Sequence, residues 1–223
     1  MLLINVLKDI FTHRKNSDFK GKSEYIVANN GNPKVLNVGG GSKLIPIPNH
    51  YGNWDHILLD IDPVSNADVI LDARDLTSFP TSSFDAVYCS HNLEHYYRHD
   101  ATKVLAGFLH VLKPGGFVEI HVPDIQSVMS RVIKSKLDIS DTLYQSKNGP
   151  ISVHDVIYGW GKQIESSGVD FYAHKAGFSR VTLIQALKQA GFSHVKCKAN
   201  AESYELSAFA CKGDPCGDLF AIL

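Results

Sequence analysis

No stretch of this 223-residue chain holds the roughly 20 predominantly apolar residues that a bilayer-crossing helix needs, so no integral membrane segment is expected. Cysteine is scarce. Cys89, Cys197, Cys211 and Cys216 form no C-x-x-C pair, so neither a zinc knuckle nor a thioredoxin-like redox site is suggested, and reduced thiols are predicted. Neither sign of charge is in excess: 22 Lys and Arg stand against 23 Asp and Glu, a formal net charge of −1. Affinity for a phosphate backbone comes from clustered cations, so nucleic acid is not an expected partner. The apolar start, Met1 to Phe11, is interrupted by Lys8 and Asp9 and lacks a small-residue cleavage site. It does not read as a signal peptide, and a cytoplasmic location is the expectation.

What is present, 44% hydrophobic and 20% charged residues, describes one globular domain with appendages. Residues 1–33 read as an N-terminal helical cap, because Leu3, Val6, Leu7 and Ile10 recur at helical spacing before Gly31-Asn32-Pro33 breaks the pattern. Residues 34–212 read as the main domain, with an insertion or lid at about 137–178, and residues 213–223 as a tail.

The stretch from Lys34 to Ser42 organises the main domain. Val35, Leu36 and Val38 make a run long enough for a strand buried on both faces, and the run stops at Gly39, Gly40 and Gly41. Glycines at the carboxyl end of a parallel strand can take positive φ and let a ligand lie against bare backbone, although the same residues also suit a plain tight turn. Pro46 and Pro48 oppose a regular helix between Ser42 and Trp54. Further strands read at His56–Asp60, Val69–Leu71, Asp85–Cys89 and Phe117–Val122, each ending in a polar or acidic cluster, which predicts a parallel sheet with one crowded edge. Helices read at 100–112, 125–136 and 181–190, and Val195–Lys198 with Glu205–Lys212 read as a closing antiparallel pair. Asp60 falls about twenty positions after the glycines, where a carboxylate accepts hydrogen bonds from both ribose hydroxyls. Asp60 or Asp62 also suits a helix N-cap before Pro63.

Assembled, these pieces resemble the class I S-adenosylmethionine-dependent methyltransferases, particularly the bacterial type 11 methyltransferase domains. Leu36-Asn37-Val38-Gly39-Gly40-Gly41 is similar to the family's first motif, Leu59-Asp60-Ile61-Asp62-Pro63 to its second, and Leu71-Asp72-Ala73-Arg74-Asp75-Leu76 to its third. Phe84-Asp85-Ala86-Val87-Tyr88 with Leu93-Glu94-His95 resembles the fourth, and Val111-Leu112-Lys113-Pro114-Gly115-Gly116 the fifth. The resemblance implies an α/β fold with a Rossmann-like sheet, mostly parallel with an antiparallel last strand and helices on both faces. It implies S-adenosyl-L-methionine as cofactor, with Asn37, Gly39, Gly40 and Gly41 near its methionine moiety, Asp60, Ile61 and Asp62 at its ribose, Asp72 and Ala73 at its adenine, and Ser90 closing the site. Asn37 stands where an acidic residue is common in the family and Lys43 where a third glycine is often found. The similarity to members associated with bacterial surface polysaccharides implies a small-molecule or glycan acceptor.

His91-Asn92-Leu93-Glu94-His95 also fits H-x-x-E-H, a zinc-protease signature. That site needs both histidines on one helix face and a third ligand farther on, whereas this stretch directly follows a strand, so no metal is expected. At the end of the fourth strand His91 would act as general base toward a substrate hydroxyl, its ordinary pKa lying near neutrality, while Glu94 and His95 cap and pack the turn. The acceptor pocket is expected between His91 and His154, Tyr158, Trp160, Tyr172, His174 and Lys175, a density of rings and hydrogen-bonding groups that suits a sugar. Tyr158, Trp160 and Phe171 serve equally as the lid's own small core. The function expected is methyl transfer to an oxygen or nitrogen of a small-molecule or saccharide acceptor. A non-catalytic cofactor-binding or regulatory protein of the same fold is the alternative. A Rossmann oxidoreductase is disfavoured, since Leu44 occupies the last glycine position of G-x-G-x-x-G.

Overall fold

A computed structural model describes residues 31–147 and 149–213, so almost all of the cap read over 1–33 and of the tail read over 213–223 lies outside the described residues. In chain order the strands are β1 (Lys34–Val38), β2 (Asp55–Asp60), β3 (Val69–Ile70), β4 (Phe84–Ser90), β5 (Leu112–Pro123), β6 (Thr142–Ser146), β7 (Gly149–Ser152), β8 (Ser193–Asn200) and β9 (Glu205–Cys211). The α-helices are α1 (Arg98–Val111), α2 (Ile125–Ser135), α3 (Val153–Tyr158), α4 (Gly161–Ser167) and α5 (Arg180–Gln189). Seven strands form one sheet in the order β3-β2-β1-β4-β5-β9-β8, and β6 and β7 form a separate hairpin. Strands β1 to β5 pair in parallel, and β9 runs antiparallel to both β5 and β8. The antiparallel last strand therefore stands as the resemblance implied. Its cause is local: only the short segment 201–204 separates β8 from β9, too little chain for a crossover.

Alternation along the central strands divides the core in two. Leu36 and Val38 of β1, Val87 and Cys89 of β4, and Val118, Ile120 and Val122 of β5 pack on the side covered by α1 and α5. Helix α1 buries Val104, Leu105, Phe108 and Val111 at the spacing of one helical face. Helix α5 begins at a capping box between Ser179 and Thr182 and buries Leu183 and Leu187. The chain enters β5 at Leu112, five residues before the strand expected at Phe117, because Leu112 pairs with Phe84 at the foot of β4.

The other face carries a second, aromatic cluster. Val35, Ala86, Phe117 and Cys211 pack there against Ile47, Tyr51 and Trp54, and among the described residues no α-helix contributes to that cluster. Pro46 and Pro48 are the physical reason: each lacks an amide donor and fixes φ, so the segment closes into one 3-10 turn at Asn49–Tyr51 that drives Tyr51 into the sheet. Cys89 and Cys197 are buried free thiols, whereas Cys211 is disulfide-bonded, against the reduced state predicted for it. Among the described residues no helix is long and apolar enough to cross a membrane.

The same face carries a buried charge. Glu119, 3% exposed, accepts from Tyr51 Oη at 2.8 Å and lies 2.9 Å from both His50 Nε2 and His121 Nε2. His121 Nδ1 meets Glu205 Oε1 at 3.1 Å, so its ring stands between two carboxylates. Burial works against the charged ring, but Glu119 and Glu205 raise its pKa to about 9. Glu205 is also opposed by burial, yet His121 and His91 bring it down to about 2.

Stability should therefore depend on pH in both directions. The His121 contribution is complete below its ordinary 6.5 and is lost as pH rises through about 9; the Glu205 contribution is present above 4.5 and lost as pH falls toward 2. The thermal midpoint should peak between about pH 5 and 6.5 and decline on either side. His121→Gln should flatten the alkaline decline by on the order of 2 kcal/mol, or roughly 4–8 °C. A wild-type midpoint constant from pH 6.5 to 9 would contradict the assignment.

Candidate functional site

The glycine loop is held in place by Asp60, at the end of β2. Its Oδ2 accepts from Gly41 N at 2.8 Å and its Oδ1 from Asp62 N at 2.9 Å, while Gly39 N donates to Leu59 O at 2.8 Å. Gly39 and Gly41 take φ of +73° and +66°, a region that strains any residue with a Cβ, whereas Gly40 does not. A Cβ on Gly39 would overlap the Asn92 side chain, and one on Gly40 would overlap that of Asn37. Asn37 is 2% exposed and its Nδ2 lies 3.1 Å from His56 Nε2, so it is turned into the domain rather than toward a ligand. Burial, helped by the Lys43 charge, holds His56 below its ordinary pKa, leaving Nε2 a lone pair to accept this bond.

The acidic residues of the edge divide their tasks. Asp60 is 7% exposed and already accepts two backbone amides. Asp62 and Ile61 are only partly buried, and Asp62 Oδ2 receives Tyr172 Oη at 3.2 Å from the lid. Asp72 caps the 3-10 turn Ala73–Ser78 and pairs with the Arg74 guanidinium at 2.6 Å, while Ala73 is buried beside it.

At the end of β4, Ser90 is partly buried and His91 takes a left-handed φ of +49°. His91 Nε2 lies 2.9 Å from Glu205 Oε2 and its Nδ1 3.5 Å from Glu94 Oε1. Burial disfavours the charged ring, but Glu205 and Glu94 raise its pKa to about 10. A ring that keeps its proton has no lone pair for a second one, so His91 does not have the near-neutral pKa expected of a general base. The following residues form a 3-10 turn at Leu93–His95, not an α-helix, so His91 and His95 do not share the helix face a zinc protease requires. Glu94 is 1% exposed; burial opposes its charge, but His91, with His95 and His174, keeps its pKa below the ordinary value.

The insertion is a small body of its own. The β6–β7 hairpin and α3 pack on α2 through Val128, Leu143, Val153 and Val156, so aliphatic residues rather than Tyr158 and Trp160 make its core. Tyr158 and Trp160 are 51% and 39% exposed, and the Tyr158 ring lies 4.9 Å from that of His154 on the outside of α3. Lys175 Nζ is tied to Asp170 O at 2.9 Å. Tyr172 and His174, by contrast, reach the sheet's carboxyl edge, Tyr172 at Asp62 and His174 within 3.9 Å of Glu94. The six expected acceptor residues are therefore split between the edge and the outer surface. A cavity of about 640 Å³ opens on the aromatic side, floored by Glu119, His121, Ser207 and Phe209 and bounded by His50 and Asn200.

The residues present fit S-adenosylmethionine. Positive-φ glycines expose backbone, the buried Asn92 Oδ1 beside Gly39 lacks a hydrogen-bond partner, and Asp62 offers a partly exposed carboxylate at the next strand end. Asn92 and Glu205 escaped the sequence reading. Asn92 was visible only as the x of a motif, and Glu205 lies 114 residues from the His91 it holds.

Residues 36–120 match a family model described as a methyltransferase domain. No curated protein matches the sequence. Solved structures of similar fold include a SAM-dependent methyltransferase from Archaeoglobus fulgidus, 18% identical over 88% of this chain and 95% of that one, with a TM-score of 0.51. A protein of Pyrococcus horikoshii is 16% identical over 88% and 92%, at 0.53, and a SAM-dependent methyltransferase from Methanosarcina mazei is 16% identical over 82% and 93%, at 0.50. At such identities the likeness speaks for the fold.

Gly39→Ala should both strain the loop and displace Asn92. We expect cofactor affinity to fall at least tenfold, with a stability loss of about 1–3 kcal/mol from the disfavoured φ and the overlap. Titration calorimetry showing wild-type affinity in this variant would mean the loop is only a turn.

Proposed function

We propose, for a chain whose residues 36–120 match a methyltransferase-domain model, that it binds S-adenosylmethionine and transfers the cofactor's methyl group to an oxygen or nitrogen of a small-molecule or saccharide acceptor. The observation that carries this reading is the Asp60 clamp, which holds two positive-φ glycines open at the strand end beside an unpartnered Asn92 oxygen.

The bound cofactor supplies a methyl group activated by sulfonium sulfur. Gly39 and Gly41 would offer backbone to its methionine end, Asp62 a carboxylate to the ribose, and Asp72 with Ala73 the adenine side. Asp60 would act behind them by holding the loop, since it is 7% exposed and accepts two amides of the rim, whereas Asp62 is only partly buried. Tyr172, bonded to Asp62, would close the lid over the cofactor and exclude water. Catalysis would rest on holding the acceptor atom, methyl carbon and sulfur in line, for which alignment alone supplies a large share of the rate. His91, held as an imidazolium between Glu205 and Glu94, would orient the acceptor rather than deprotonate it. Tyr172 and His174 would flank the acceptor, and the exposed rings of Tyr158 and Trp160, with His154 and Lys175 nearby in sequence, favour a saccharide that extends over the lid.

The division between the two aspartates is testable by calorimetry with S-adenosylmethionine and S-adenosylhomocysteine. Asp62→Ala should weaken binding roughly 10- to 100-fold by loss of charged hydrogen bonds, with a smaller fall in thermal midpoint than Asp60→Ala because the bonds from Val64 N and Tyr172 Oη are the less buried ones. Asp60→Ala should lower the midpoint as well, because two backbone amides lose their acceptor. Loss of affinity in Asp60→Ala alone, at full stability, would return the ribose to Asp60. Formation of S-adenosylhomocysteine with any oxygen or nitrogen acceptor supports the enzyme; tight cofactor binding without turnover across a broad saccharide and small-molecule panel would favour a non-catalytic binding protein.

A further inference from the structure

The turn after β4 and the lid segment that crosses it bring together three metal-ligating side chains. Glu94, His95 and His174 place one ligand atom each within 4.8 Å of one another. We propose that these three side chains form a binding site for a divalent transition-metal ion, zinc by its donor set, beneath the lid.

The carboxylate is the first argument. Glu94 is 1% exposed, and neither of its oxygens has a hydrogen-bond partner. The nearest nitrogens, His91 Nδ1 at 3.5 Å and His174 Nε2 at 3.9 Å, stand beyond bonding geometry. A buried carboxylate that no hydrogen bond satisfies is costly even with the His91 ring in ion-pair range, and a bound cation removes that cost directly. The backbone does not relieve it by moving, since Glu94 O is pinned by Lys175 N at 2.8 Å and Ala176 N at 3.0 Å.

The histidines supply the second, independent argument. His95 Nδ1 lies 3.2 Å from Ala173 O, and His174 Nδ1 lies 3.0 Å from Val156 O. Because a carbonyl only accepts, each Nδ1 must carry the proton, which leaves the Nε2 lone pair of each ring available. A ring whose far nitrogen donates to a backbone carbonyl is the arrangement that orients metal-ligating histidine. The two rings meet edge-on, 4.8 Å between centroids at an interplanar angle of 70°.

Two imidazoles and one carboxylate with an open fourth position is a zinc donor set of the catalytic kind. Ligands about 2.0–2.1 Å from a tetrahedral ion stand about 3.4 Å apart, so the donors would draw together by about an ångström on binding. The H-x-x-E-H pattern thus contributes its last two residues, while the third ligand comes from the lid in place of His91. An ion here would fasten the lid to the β4 turn. Its open position would take an acceptor oxygen; that last point alone rests on the methyl-transfer reading.

The test uses the full chain, stripped with chelator and titrated with Zn²⁺ or with Co²⁺, whose visible absorption reports the coordination number. One equivalent should bind with a dissociation constant at or below about ten micromolar and raise the thermal midpoint. Glu94→Gln, His95→Ala and His174→Ala should each weaken binding at least tenfold, whereas His154→Ala, on the outside of α3, should not. Absence of stoichiometric binding by the wild-type chain would overturn the site without recourse to any variant. So would binding that survives in the His95→Ala, His174→Ala double variant or that disappears in His154→Ala. Calorimetry with S-adenosylmethionine on the same samples separates the two readings: cofactor binding without metal binding rejects only the metal site, and metal binding without cofactor binding rejects only the methyl-transfer reading.

Discussion

Two amide-to-carboxylate bonds at Asp60 hold the working edge of this molecule in shape. Gly41 N reaches across from the end of β1, and Asp62 N folds back from the end of β2, onto the two oxygens of one buried side chain. Charged acceptors make such bonds stronger than neutral ones. With the loop held, Gly39 keeps its positive φ and Asn92 can pack against its bare Cα, which joins the ends of β1, β2 and β4 into one rim.

A second constraint runs at right angles to the first. Glu119, His121, Glu205, His91 and Glu94 alternate in sign from the middle of the aromatic face to the carboxyl edge, each within 3.5 Å of the next. Every histidine in that row stands between two carboxylates and is held protonated, so the row is a set of fixed charges rather than a set of bases near neutrality. The row also couples sheet stability to the site: the strand pair β5–β9 carries Glu119, His121 and Glu205, and the same Glu205 positions His91.

The lid is stitched to this rim at three places. Tyr172 bonds Asp62 beyond β2, the amides of Lys175 and Ala176 bond Glu94 beyond β4, and Phe178 O accepts from Ile125 N beyond β5. The β6–β7 hairpin and α3 keep an aliphatic core of their own on α2, so this segment is packed and not a loose loop.

Much of this was legible along the chain. The apolar run ending in three glycines, the strands ending in acidic clusters and the stop after α1 placed the sheet and its crowded edge, because periodicity, glycine and proline act over a few residues. The same locality explains why Pro46 and Pro48 correctly foretold a missing helix. The hairpin β6–β7 was not legible, since its short strands alternate weakly. The site was only half legible. Residue types at strand ends marked the polar edge, but Asp60 and Asp62 differ there by burial, and burial is set by the whole packed edge. Asn37 belongs to the glycine motif in sequence and to His56 in space. His91 carries an ordinary histidine's pKa in the sequence and a strongly raised one in the fold, because Glu205 arrives from the last strand. What the sequence determined by itself was the order of the elements and the edge at which the polar and acidic clusters gather; which side chains are charged or buried there was decided by tertiary structure, because those properties depend on partners brought from far along the chain.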